Sequence, residues 1–281
     1  FKQHYLTPPY GDISHLMSGL SYKKHHYMWP TIGKCLDHIA DAKMEDVKDF
    51  FFRFYAPNNA ILSVVGGISM EEVVRLAEKW FGPVPRRDTD RTPLPQEPEQ
   101  TEQRRMTVER DVPADVLYMS FHIPGMMQEG FHSADMISDI LSVGKSCRLN
   151  KHLVEDKHVF TSIDAYIQPR VDTGLLYICG MPAEDVDIAE AEESVWRELE
   201  CLRNDGITSE ELEKVKNKFE TTKATEMLNR QKLAEHLSIY EMLGDAGLYA
   251  DEARKYGSID AEQFMSTCRS TLKRERSNVL W

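Results

Sequence analysis

Apolar residues recur along this chain with two periods, and the two separate helices from strands. Over residues 44–55, Val47, Phe50, Phe51 and Phe54 fall at i, i+3, i+4 and i+7, one apolar helix face that Pro57-Asn58-Asn59 stops. Residues 60–65 are a short continuous apolar run ending at Gly66-Gly67, the pattern of a buried strand with a tight exit. Ser69 with Glu72 is a capping box, and the helix it opens presents Val73, Val74, Ala77 and Phe81 before Gly82-Pro83. Farther along, 106–112 and 116–123 read as strands, 131–141 and 147–154 as helices, and 160–167 with 173–179 as a hairpin across 169–172. Ile188, Ala191, Val195, Leu199 and Leu202 mark a helix ending near Gly206. Thr208 with Glu211 opens a long helix reaching Leu243 and stopped by Gly244. Asp260 with Gln263 opens a last helix carrying Phe264, Cys268 and Leu272, and 278–281 reads as a closing strand. Strand pairs followed by helix pairs predict an α+β fold, an antiparallel sheet covered by helices on one face.

Both periods lapse over 83–103, which holds five prolines and only two aliphatic residues, Val84 and Leu94. Such a stretch cannot build a core and predicts an exposed, extended linker. The expected organisation is 1–82, a Pro-rich linker over 83–105, and a second domain over 106–281. An internal echo crosses this break: DAKMEDVKDFFFRFYAPNNAIL near the start resembles GSIDAEQFMSTCRSTLKRERSNVLW at the end.

Composition narrows the function classes. Of 281 residues, 41% are hydrophobic and 28% charged, as in a folded globular chain. No apolar run approaches the roughly 20 residues of a membrane span. With 46 acids against 34 bases the net charge is −12, which argues against nucleic-acid binding. The five cysteines are far apart, without a CxxC pair, which argues against a disulfide framework or a cysteine zinc site and favours a reducing compartment. The chain opens on Phe1 with no signal-like stretch after it, so it is expected to be a processed product or to begin inside a longer protein.

Catalytic patterns are sparse. Neither HExxH nor HxxEH occurs, nor GxSxG, GxxxxGK[ST] or GxGxxG. In HLVEDKH, His152 and His158 stand six apart with Glu155 between, about 240° around a helix, so both rings cannot meet one ion there. Adjacent His25 and His26 could at most join a longer-range metal site. The Phe50-Phe51-Phe52 and Phe54-Tyr55 cluster has the spacing of core packing rather than of a ligand box. Glu190, Glu192 and Glu193, and Glu210, Glu211 and Glu213, read as solvated helix faces and first-turn residues that suit the helix dipole. No catalytic or metal-binding residue is therefore assigned, and no substrate-binding residue can be named.

The stretch 25–85 resembles the pitrilysin/insulinase-type zinc metallopeptidases, the inverted zincins. The matching residues are His25, Tyr27, Pro30, Gly33, Phe51, Tyr55, Pro57, Asn59, Ala60, Leu62, Val64, Val65, Gly66, Phe81, Gly82 and Pro85, with His26 where proline is usual. In the second half, CRLNKHLVEDKHVFTSIDAYI resembles the family's helix-then-strand segment. The resemblance implies tandem α+β domains, which would account for the echo. Here 1–82 would be the C-terminal half of a first peptidase domain and 106–281 a second, non-catalytic one. It also implies zinc bound upstream, on HxxEH and a later Glu, so that the intact parent carries zinc and this chain none of its ligands. The resemblance implies that the Arg and Tyr with which the family holds substrate fall near Val154 and Thr161, neither of which can do that work. The expected function is thus part of a zinc-dependent endopeptidase acting on peptides in an enclosed chamber, with this chain as chamber wall and inactive alone. The alternative is a silent scaffold subunit paired with an HxxEH-bearing partner chain.

Overall fold

The computed structural model describes residues 7–89 and 92–281. They fall into two compact units, one of 7–33, 95–218 and 255–281, the other of 34–94 and 219–254.

The first unit is built on one sheet. Its strands are β1 (Arg104–Met106), β2 (Leu117–Pro124), β3 (Phe160–Gln168), β4 (Thr173–Pro182) and β5 (Ser277–Leu280), in the spatial order β1-β5-β2-β4-β3. β5, β2, β4 and β3 pair antiparallel, but β1 runs parallel to β5. The sheet is therefore mixed, not purely antiparallel as the sequence suggested. The reason is long-range: β1 and β5 come from opposite ends of the unit, so no hairpin dictates their sense. Residues 107–112, expected to extend β1, are not strand.

One face of the sheet carries Leu117, Met119, Phe121 and Ile123 of β2 with Leu176 and Ile178 of β4, all buried. Packed on the sheet are α5 (Phe131–Ser142), α6 (Ile188–Asp205) and α10 (Ala261–Thr271). Phe121 meets Trp196 of α6 edge-on at 5.8 Å. The opposite face is partly roofed by α1 (Ile13–Ser21), whose Ile13, Met17 and Leu20 pack with Leu175, Tyr177 and Leu280.

The second unit holds α2 (Leu36–Ala40), α3 (Met44–Phe54), α4 (Met70–Phe81) and α8 (Arg230–Met242), together with the end of α7 (Ser209–Glu226) and the start of α9 (Glu252–Ser258). α3 and α4 form where periodicity put them, and the Ser69 hydroxyl accepts the Glu72 N–H at 3.2 Å. Asn59 Nδ2 donates to the Phe54 carbonyl at 2.9 Å, closing the end of α3. The core expected around α3 is absent: Val47, Phe50, Phe51 and Phe52 are 57%, 56%, 50% and 56% exposed. Among the described residues, 61–65 pair with no strand, so this face has no sheet against it. The long helix expected to reach Leu243 is broken over 227–229. Asn229 starts α8 by accepting the N–H groups of Gln231 and Lys232 with its side chain.

The Pro-rich stretch also departs from expectation. Its end, from Pro95, belongs to the sheet unit. Gln100 is buried and its Nε2 donates to the Ser277 carbonyl at 2.9 Å. Glu97 accepts three backbone N–H groups, from Lys23, Lys24 and His25, at 2.8, 2.8 and 2.9 Å. Burial pushes the Glu97 carboxyl up, but these donors outweigh it and hold it below the usual carboxylate range.

Candidate functional site

The sheet face that α1 partly roofs carries several polar and aromatic side chains and emerges at Tyr166. Strand alternation places Tyr118, Ser120 and His122 of β2, Tyr177 and Cys179 of β4, and Asp164 and Tyr166 of β3 on it. Ser120 and His122 lie under the end of α1, hydrogen bonded to the Ser21 hydroxyl and carbonyl. Tyr166 remains 42% exposed and stacks on Tyr177 with ring centroids 5.3 Å apart. Burial raises the pKa values of Tyr118 and Tyr166, pushes Tyr177 up to about 12 and Cys179 up to about 11. These groups are therefore neutral at physiological pH. Tyr166, the exposed member, offers flat apolar area and a hydroxyl for hydrogen bonding, not proton transfer or nucleophilic attack.

The hairpin turn beside this face is locked. His25 is 2% exposed; its Nδ1 accepts the Tyr27 N–H, which places the ring proton on Nε2, 3.0 Å from Asp172 Oδ2. The Tyr22 hydroxyl donates to the Thr173 carbonyl at 2.9 Å, and Arg170 lies over the Tyr27 ring at 5.0 Å. Gly125 is obligatory at the turn, since a Cβ there would come within 2.2 Å of the Val171 carbonyl oxygen. His26, sequence neighbour of His25, instead stacks on Trp29. The adjacent histidines are thus a structural pair, with both His25 nitrogens engaged.

The HLVEDKH segment forms a π-helical turn over Asn150–Asp156. His152 Nδ1 and Lys157 Nζ both reach the buried Glu198, at 2.6 and 2.9 Å. Glu155 holds Asn150, and His158 bonds the Val154 carbonyl. The three candidates do not converge, and no group of three or more His, Cys, Asp or Glu among the described residues is placed to hold a metal ion. Among the described residues the donor side chains do not fit a zinc site. Thr161 Oγ1 spends its hydrogen on the Met181 carbonyl, and Val154 is half-buried.

Sequence reasoning missed Glu192. Read as solvated, it is 5% exposed and accepts from Arg105 Nη1 and Nη2 at 2.9 and 2.7 Å, from Trp196 Nε1 at 3.1 Å and from Trp281 Nε1 at 2.9 Å. Glu211, read as a first-turn acid, does cap its helix with Thr208, but it also takes Arg148 in a two-pronged ion pair at 2.7 and 2.8 Å.

Residues 41–219 match the family model described as the peptidase M16 inactive domain, more than half of the chain, and the chain belongs to that family. It is similar to the zinc protease PqqE of Helicobacter pylori, 28% identical over 248 residues, covering 86% of this chain and 52% of that protein. The uncharacterized zinc protease YmxG of Bacillus subtilis is 27% identical over 209 residues, 74% of this chain and 50% of its own length. The chain thus spans about half the length of the curated relatives it matches. A solved Helicobacter pylori protease superposes with a TM-score of 0.91 at 22% identity, over 99% of this chain and 68% of its own. The peptidase M16 inactive domain from Pseudomonas fluorescens gives 0.81 at 15% identity, over 99% and 66%.

Proposed function

We propose that this chain is the non-catalytic part of a zinc-dependent metalloendopeptidase that hydrolyses peptides in an enclosed chamber. It supplies wall and substrate-facing surface, while the zinc ligands lie upstream or on a partner chain. The observation that carries this reading is the exposed Tyr166 of β3, neutral and stacked on the buried Tyr177 at the margin of the sheet face that α1 roofs. An extended peptide presents amides and apolar side chains, which such a face can bind without reacting with it. By homology 1–82 is then the C-terminal half of a first peptidase domain, 83–105 a connecting segment and 106–281 the second domain, although compactness divides the chain differently. The bare α3 and α4 faces fit the missing half-domain. The five free thiols fit a reducing compartment, and among the described residues no helix is long and apolar enough to cross a membrane.

The test uses the protein extended upstream to its natural start. It should retain zinc and cleave a fluorogenic peptide, lose activity to chelator, and show a several-fold higher KM with little change in kcat on Tyr166→Ala. The second reading, a silent scaffold subunit, draws on Val154 and Thr161 standing where the family holds substrate with Arg and Tyr. An extended protein that neither retains zinc nor cleaves peptide, but copurifies with an HxxEH-bearing chain, would replace the first reading by the second.

A further inference from the structure

The helix layer over the sheet leaves a groove of about 590 Å³ between the end of α6 and the length of α10. α10 turns Phe264, Met265, Cys268 and Thr271 inward, all buried. Glu262, Ser266 and Arg269 line the groove at helical spacing on its outer side, and Lys273 continues their row past the helix end. Arg203 faces them from the last turn of α6. Arg269 bridges the two helices, its Nε donating to the Arg203 carbonyl at 3.3 Å.

Three cations thus meet at one end of the groove, and among the described residues no carboxylate pairs with any of them. That sets them apart in a chain of 46 acids against 34 bases. In the same unit Arg105, Arg110, Arg148, Arg274 and Arg276 each meet a carboxylate. Among the described residues the Arg203 side chain makes no hydrogen bond, and its Nε is buried without an acceptor. Glu262, the carboxylate in the lining, stands two turns before Arg269, roughly 10 Å along the helix. Cations near a helix C-terminus suit its dipole, and the Arg269 bond to the Arg203 carbonyl serves that end. It leaves the other donors of Arg269, the guanidinium of Arg203 and the Lys273 ammonium without an acceptor.

We propose that this groove binds a phosphoryl group, held by the guanidinium groups of Arg203 and Arg269, with Lys273 as a third charge and the Ser266 hydroxyl as an uncharged donor. Guanidinium forks match phosphoryl oxygens in pairs, and an ammonium adds a point charge. A phosphate monoester carries about two negative charges, which balances three cations beside one glutamate. A carboxylate, with one charge and two oxygens, leaves most of these donors unanswered. The groove lies on the helix-covered side of the sheet, opposite the face that α1 roofs. Phosphoryl binding therefore does not compete with peptide contact at Tyr166, and it stands or falls independently of the peptidase reading.

Isothermal titration of the whole chain with inorganic phosphate at low ionic strength tests this. One equivalent should bind saturably, about 10-fold or more tighter than acetate, and more weakly as salt rises. Arg203→Gln removes no hydrogen bond within the chain and should weaken phosphate binding about 10-fold or more. Lys273→Gln should weaken it about 3-fold, and decides the matter should Arg203→Gln fail to fold. O-phosphoserine separates the sources of the group: tighter binding than inorganic phosphate marks an esterified phosphoryl group as the ligand, weaker binding marks free phosphate. No saturable phosphate binding up to about 10 mM, acetate binding as tight as phosphate, or phosphate binding that neither variant weakens overturns the proposal.

Discussion

Phe121 and Phe51 are the same residue in opposite circumstances. Phe121 is 0% exposed, between the sheet and Trp196, while Phe51 is 50% exposed on a helix whose apolar stripe is just as regular. Periodicity reports which side of an element seeks burial. It says nothing about whether the covering layer belongs to the same chain. In the sheet unit β2, β4, α5, α6 and α10 close on one another. In the other unit α3 and α4 keep their faces bare, and 61–65 keep their strand-like composition without a strand partner. A large exposed apolar face marks an interaction surface.

The largest expected effect attacks this contrast directly. Phe121→Ala should cost about 3–5 kcal/mol in urea unfolding, whereas Phe51→Ala in this chain should stay within about 0.5 kcal/mol. In the protein extended upstream, Phe51→Ala should become a core deletion costing about 3 kcal/mol or more. Equal costs for the two in the present chain would erase the contrast.

Next comes Arg105→Ala, which strands the buried Glu192 with only its two indole donors and should cost about 2–3 kcal/mol. Burial raises the Glu192 carboxyl, but Arg105, Trp196 and Trp281 outweigh it and hold it below the usual range. Its contribution is therefore present above the ordinary glutamate pKa and lost as pH falls through the lower folded value. Urea titrations between pH 3 and pH 7 should show an acid slope that Arg105→Ala flattens.

Glu97→Ala should cost about 1–2 kcal/mol by freeing three backbone donors. It should also expose 95–103 to proteases, which in the unmodified protein should cut within 83–94 first. Early cleavage of 95–103 in the unmodified protein would mean that the anchored half of the Pro-rich stretch is not held. The smallest effect is Asn229→Ala, about 1 kcal/mol for a lost cap, seen by circular dichroism as reduced helix without loss of the sheet unit's unfolding transition.

Much of the fold was legible. The capping box at Asp260-Gln263 is complete, and Thr208 and Glu211 exchange both of their bonds. α3, α4, α5, α6 and α10 lie within a few residues of their periodic runs, and the hairpin turns where Pro169 and its neighbours predicted. The candidate site was less legible. Tyr118, Tyr166 and Tyr177 lie far apart in sequence and become one surface only through the register of three strands. His25 drew notice as a possible ligand, but its partner Asp172 is 147 positions away. The π-helical turn that carries His152 to Glu198 leaves no period to read.

By itself, the sequence determined the kinds of elements, their caps, the α+β class and the family, because each rests on contacts within a few residues or on an ordered string of motifs. The break at 227–229 was written in Asn229 but masked by the apolar Met227 and Leu228 before it. Tertiary structure alone decided that β1 runs parallel to β5, that Glu192 sinks beneath Arg105 and two indoles, that Glu97 ties the Pro-rich stretch to 23–25, and that the α3 face stays bare. These outcomes depend on which distant segments meet. The free energy of such a meeting comes from burying surface and pairing charge across the chain, and no local pattern of residues encodes it.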